Sequence, residues 1–188
     1  MAKKTKHNID IIVQIDNKEK DLYYVNDIKL DKRRNKDGVK VLSTERCNVK
    51  PNTRLGTCDV SFKYKFEDSD EWIQSSFGCE LKKKTDLFSS VYMKANRERL
   101  FREIDRCVEA EVDMYFIATD DITAMRKGIE KIRKFNDYTC ITFLDNLMKL
   151  KTYLMLYNIP YFTSGNDLGW LIRRLIKLHI KKTKINYK

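Results

Sequence analysis

Apolar and polar positions along this chain predict a run of strands followed by helix–strand units. Ile9 to Ile15 is a short stretch rich in isoleucine and valine, the mark of a buried strand. Leu22 to Arg34 predicts a helix, although Tyr23, Asp27, Leu30 and Arg34 give it no clean face, and Val39 to Ser43 predicts another strand. From Val60 to Phe66 apolar residues alternate with polar ones, and Glu67 to Asp70 supplies a turn. From Ile73 to Lys82, Ile73, Phe77, Cys79 and Leu81 fall on one face of a strand and Glu80 and Lys82 on the other. These two strands predict an antiparallel hairpin.

Beyond it the period becomes helical. Leu100, Ile104 and Val108 line a helix from Asn96 to Glu111, and Val112 to Ala118 is a second apolar strand. Ile122, Met125, Ile129 and Ile132 predict a further helix. Thr142 to Tyr157 is helical and leucine-rich, and Ile159 to Thr163 is a short strand. Leu168, Leu171, Ile172, Leu175 and Leu178 form a last helical stripe. The order argues for an α/β layered fold.

A length of 188 residues suits one domain, expected over residues 8–182, with basic tails at 1–7 and 183–188. There is no apolar run long enough to span a membrane and no apolar stretch of a signal peptide near Met1, so an intracellular protein, in cytoplasm, nucleoid or nucleus and not secreted, is expected. Five scattered cysteines without a CxxC pair, and only His7 and His179, argue for buried free thiols over a structural zinc site. The net charge of +11 points to a polyanionic partner, nucleic acid first.

The chemistry centres on three positions. Asp59 opens the Val60 strand, and Glu80-Leu81-Lys82 follows 21 residues later. An acid on one strand and acid-x-lysine on its partner is the layout of a PD-(D/E)XK nuclease core. Two carboxylates facing one point, with the Leu81 carbonyl as a third oxygen, suit a divalent Mg2+ or Mn2+ ion. Lys82, on the face of Glu80, can orient the attacking water or neutralise charge on the phosphorane. The triplet alone is common, as Asp27-Ile28-Lys29 shows, and its bland reading is a solvated strand face.

The neighbouring residues add to this. Glu80, Lys82, Asp86, Leu87 and Ser90 fall at the spacing of the XPF-type nuclease signature, which reads roughly GDxnERKxxxDLxxS. Leu55-Gly-Thr-Cys-Asp-Val60 resembles the family's L-x-x-G-D-Y segment, and Ile15-Asp-Asn-Lys-Glu19 its V-D-x-R-E segment. The resemblance covers about Ile9 to Ile180 and is strongest from Leu55 to Arg102. It implies a restriction-endonuclease-like fold, with a mixed central sheet flanked by helices. It makes Asp59 and Glu80 metal ligands, sets Asp16 and Glu19 beside them, and has Asp86 support the site from the next helix. Arg97 or Arg99 is the counterpart the resemblance offers for the family's arginine after the serine, at a longer spacing from Ser90 than the family's, and Lys83 and Lys84 join them as expected DNA contacts. The chain departs at Leu81 and Lys18, where the family has arginine, and at Cys58, where it has glycine. Lysine cannot replace an arginine's bidentate phosphate contact.

The expected function is metal-dependent DNA endonuclease action, with branched, flap or junction substrates and a repair or recombination setting implied by the resemblance. Without helix–hairpin–helix motifs, DNA binding falls to the nuclease domain itself, to a homodimer or to a partner protein. Two other readings stand beside it: a non-catalytic DNA-binding or scaffolding relative, and a small basic protein-binding inhibitor. Several residues carry bland alternatives. Asp86 suits a helix cap, Asp16 a turn, and Arg97, Arg99 and Arg102 a solvated helix face. Tyr23, Tyr24, Tyr64 and Tyr92 suit packing as well as base stacking. The basic residues Arg173, Arg174, Lys177, Lys181, Lys182 and Lys184 suit a solvated face as well as a DNA-backbone contact.

Overall fold

A computed structural model describes residues 7–19, 23–29, 38–51, 58–118, 120–132, 136–183 and 185. The fold is α/β. The chain divides into two compact units, Met1–Gly78 with Asp167–Lys188, and Cys79–Asn166.

The first unit is built on a mixed sheet. Strand β1 (Ile9–Asp16) runs parallel to β2 (Val39–Cys47) and antiparallel to β3 (Val60–Phe66). Its alternation puts Ile9, Ile11, Val13 and Ile15 on one face, level with Val39, Val41, Phe62 and Val60, and all eight are buried. A bulge after Ile11 skips Leu42, which leaves that leucine exposed. Helices α1 (Val25–Lys29) and α6 (Leu168–Thr183) pack on each other, and Phe62 packs edge-on against the α6 residue His179. The helix expected from Leu22 to Arg34 is thus α1 in its described part; Leu22, Leu30 and Arg34 lie outside the described residues.

The expected hairpin is corrected in one respect. Its second strand is two pieces, β4 (Ile73–Gln74), which pairs with Tyr64 and Lys63, and β5 (Phe77–Lys82). Ser75 makes the break. Its backbone N–H still donates to Phe62 O at 3.1 Å, but its hydroxyl accepts from Phe77 N at 3.1 Å and meets His179 Nε2 at 3.2 Å. A serine hydroxyl that takes a backbone donor competes with the strand ladder. Ile73 accordingly does not share the buried face of Phe77, Cys79 and Leu81; it is exposed. All six residues of β5 are buried, so the strand has no solvated face. Phe77 and Gly78 belong to the first unit and the rest of β5 to the second.

The second unit continues with α2 (Lys84–Tyr92), α3 (Lys94–Glu109), β6 (Asp113–Ala118), α4 (Asp121–Ile132), α5 (Asp137–Leu156) and β7 (Tyr161–Thr163). Strand β7 runs parallel to β6, with Phe116, Ile117 and Ala118 beside Tyr161, Phe162 and Thr163. The centre of the unit is Phe88 of α2, stacked on Tyr92 and on Phe143 of α5 and seated over Gly128 of α4. Three expected faces shift. Cys107, not Val108, completes the buried row with Leu100 and Ile104. On α4 the exposed Ile122 yields to Ala124, Gly128 and Ile129. On α6, back in the first unit, the exposed Leu178 yields to Ile176, His179 and Ile180. Small and polar side chains fill close-packed positions that a search for large apolar residues passes over.

Helix α5 begins earlier than its leucines suggest because Asn136 caps it. The Asn136 side chain accepts from Thr139 N and from the Thr139 hydroxyl, each at 2.8 Å. Loss of such a cap costs about 1 kcal/mol. Asn136→Ala is therefore expected to lower the free energy of unfolding by that amount, read as a lower denaturant midpoint, and a midpoint equal to the parent's would show that the cap contributes nothing.

Candidate active site

In the first unit the ladder between β1 and β3 carries two acids at its end. Ile15 pairs with Val60, and one step on, Asp16 N donates to Asp59 O at 2.8 Å. Asp16 is only 8% exposed, and one of its carboxylate oxygens accepts from Lys18 N at 2.7 Å, closing an Asx turn. Glu19 N donates to Asp16 O at 3.0 Å. The turn reading and the site reading of Asp16 are compatible, since the turn uses one oxygen of a carboxylate that accepts several bonds. Asp59 is half-buried.

Arg46 also belongs to this turn. It sits beside Ile15 on β2, and its guanidinium donates to Asn17 O at 2.5 Å and to Glu19 O at 3.0 Å. The sequence carries no local signal for it, because the contact depends on the register of two parallel strands far apart in the chain.

In the second unit Glu80 and Lys82 lie two residues apart on β5, which turns them to the same side. Lys82 Nζ donates to Glu80 Oε1 at 2.5 Å and stands 3.8 Å from Asp86 Oδ2 in the first turn of α2. Glu80 is 7% exposed and Lys82 9%. These are not the residues of a solvated strand face. Burial pushes the Glu80 carboxyl above the usual carboxylate range, and the charges of Glu103 and Asp86 add to that push; the charge and hydrogen bond of Lys82 oppose it. Leu81, between the pair, is buried and points the other way. Asp86, at the start of α2, also suits the positive end of the helix dipole.

Glu103 is a member of this acidic group that the motif does not indicate. It lies on α3, with Arg99 Nε 3.7 Å from its carboxylate. The i, i+4 spacing of Arg99 and Glu103 is the one trace of it in the sequence. Arg97 has a different neighbour: its Nη1 donates to Val91 O at 2.8 Å, near the end of α2. Lys83 stands at the N-cap position of α2, where its side chain makes no capping hydrogen bond, and is half-buried. The Lys84 side chain and the Leu55 to Thr57 part of the motif lie outside the described residues. Of the tyrosines, Tyr24 is fully buried in the core.

Among the described residues no group of three or more His, Cys, Asp and Glu side chains is gathered to hold a metal ion. The five cysteines are free thiols, three of them buried. No described helix is long and apolar enough to cross a membrane.

No known family profile matches the chain, and no curated protein does. Among solved structures it is similar to XPF from Aeropyrum pernix, with a TM-score of 0.46 and 16% identity over 92% of this chain and 68% of that one. It is similar also to XPF from Aeropyrum pernix in complex with DNA, with a TM-score of 0.46 and 16% identity over 91% of this chain and 66% of that one. The chain thus spans about two thirds of each.

Proposed function

We propose that this protein is a metal-dependent endonuclease that hydrolyses DNA phosphodiester bonds, with Glu80, Lys82 and Asp86 at the centre of its site. The observation that carries the reading is the burial of the Glu80–Lys82 pair. Charged strand residues are ordinarily solvated, and taking an ion pair out of water costs several kcal/mol per ion before the pairing returns any of it. A fold that needed only packing at these two positions would do as well with apolar residues. A buried carboxylate held above its usual range, with two more acids near it, is also a place where a cation relieves an unfavourable charge.

That donor chemistry fits Mg2+ or Mn2+, which take oxygen ligands. Glu80 would hold the ion, with the Leu81 carbonyl beside it. Lys82 occupies one carboxylate oxygen, and the carboxylate keeps capacity for a further partner. From the motif, Asp59 is the proposed second ligand, with Asp16 and Glu19 as supporting acids. Such an ion supplies Lewis-acid polarisation of the phosphate and acidifies water. The ammonium of Lys82, which stands against Glu80 and near Asp86, would balance negative charge that grows on the phosphoryl oxygens. Arg99, Arg97, Lys83 and Lys84 are the proposed phosphate contacts. Branched, flap or junction DNA is the proposed substrate.

The test is a panel of end-labelled duplex, single-stranded, nicked, flap and junction DNAs with Mg2+, Mn2+ or chelator. Cleavage is expected with metal only, strongest on branched substrates, and lost in Asp59→Asn. DNA binding without cleavage under any metal would overturn the reading in favour of a non-catalytic relative. Neither binding nor cleavage would leave the protein-binding inhibitor.

A further inference from the structure

The positive charge of this chain is unevenly placed. Residues 168–188 hold seven Lys and Arg and no Asp or Glu, within a chain whose net charge is +11. Most of that segment is α6, and α6 is anchored. Its apolar face, Leu168, Ile172, Leu175, Ile176, His179 and Ile180, is buried, with His179 edge-on to both Phe62 and Phe77. At its start Gly169 lies so close to Tyr24 O that a Cβ would stand 2.3 Å from it.

The opposite face is of another kind. Trp170, Arg174, Leu178 and Lys181 follow one another at three- and four-residue steps, which sets them in one row along the helix. Lys182 is exposed beside them and Lys177 half-buried. Trp170 is 51% exposed and Leu178 52%. The Arg174 guanidinium lies 5.3 Å from the centre of the Trp170 ring. An indole held in solvent against a guanidinium presents a stacking surface and a phosphate donor together. At 1.5 Å per residue the row from Trp170 to Lys182 is about 18 Å long.

We propose that this outer row of α6 is a track for single-stranded nucleic acid, with Trp170 stacked on a base and Arg174, Lys177, Lys181 and Lys182 along the phosphates. The inference rests on the nucleic-acid part of the function proposed above and not on the cleavage part. The mixture of side chains selects an unpaired strand. A duplex offers the row only its backbone, which gives Trp170 and Leu178 nothing to cover them, whereas an unpaired strand offers base faces. An anionic lipid surface is the weaker fit, because a helix that lies in a membrane buries its apolar face there, and α6 has that face in the protein core.

The experiment uses Trp170 as its own reporter. In Trp72→Phe protein, with chelator present, oligo(dT) is expected to quench the remaining indole fluorescence. Trp170→Ala is expected to weaken oligo(dT) binding about tenfold, the effect of losing one stacked base, and to change duplex binding little. Arg174→Gln with Lys181→Gln is expected to flatten the dependence of log affinity on log salt by about 0.7 for each phosphate that no longer meets a cationic side chain. All four substituted residues are at least partly exposed, and circular dichroism checks that the variants stay folded. No quenching, an unchanged affinity in Trp170→Ala, or binding to anionic vesicles in place of oligo(dT) would overturn the proposal. Because no metal is present, quenching without any cleavage in the earlier panel would remove the nuclease reading and keep this one. Cleavage with unaltered Trp170→Ala binding would do the reverse.

Discussion

Glu80→Gln is expected to lower metal-dependent DNA cleavage by about a hundredfold, since loss of a group that merely supports a bound ion already costs about ten- to a hundredfold. Activity alone does not separate a ligand from a structural partner, because Glu80 also neutralises a buried lysine. Stability does. Lys82→Ala leaves Glu80 buried without its cation, and breaking such a pair costs about 3–5 kcal/mol. That penalty has a defined pH dependence. Burial already raises the Glu80 pKa, and removing Lys82 takes away the partner that opposed the rise. An acid whose folded pKa is raised binds its proton more readily in the folded state. Stability is therefore gained as pH falls through the folded value, and the Lys82→Ala penalty shrinks toward acid pH. Replacing both residues, as Glu80→Leu with Lys82→Met, removes two charges together and is expected to restore most of the stability. It is not expected to restore cleavage. A double variant that is stable and still cuts DNA would show that the pair only holds the strand in place.

Gly169→Ala is expected to destabilise the protein by about 3 kcal/mol, the upper part of the range for overpacking a filled site. The outcome runs against helix propensity, by which alanine is better than glycine by about 1 kcal/mol inside a helix. The local preference loses because the new methyl would stand 2.3 Å from Tyr24 O and 2.6 Å from Asp27 Cβ. A carbonyl oxygen at the start of α1 cannot swing aside as a side-chain tip can, so α6 has to lift from α1. Gly128→Ala makes the parallel case in the second unit, where a Cβ would lie 1.9 Å from Cγ of the buried Phe88 ring. Chemical denaturation reads both. If Gly169→Ala unfolds at the parent midpoint or above it, the close contact between α1 and α6 is wrong.

Much of this was legible in the chain. Ile9 to Ile15 and Val112 to Ala118 read as strands from their own residues, and Leu100 with Ile104 read as a helix face. Glu80 and Lys82 could be set on one side of a strand without knowledge of anything else in the protein, because alternation is a property of the extended backbone. Asp16 and Asp59 could each be placed at a strand end for the same reason. These are local facts, and local dihedral preference with its period of two or 3.6 is enough to state them.

Other features had no local cause. The break at Ser75 involves a histidine 104 residues away. Arg46 reaches the Asp16 turn through strand register, and Glu103 reaches the neighbourhood of Glu80 from a different helix. Above all, the burial of Glu80 and Lys82 was decided by packing, since residue type alone predicts the opposite. By itself the sequence determined most of the elements and their order, though not the break that divides β4 from β5 or the bounds of α2, and it set an acid and a lysine on one strand face. Only the tertiary structure decided that this face lies out of water, because burial depends on which elements close over a strand and not on the strand's own dihedral angles.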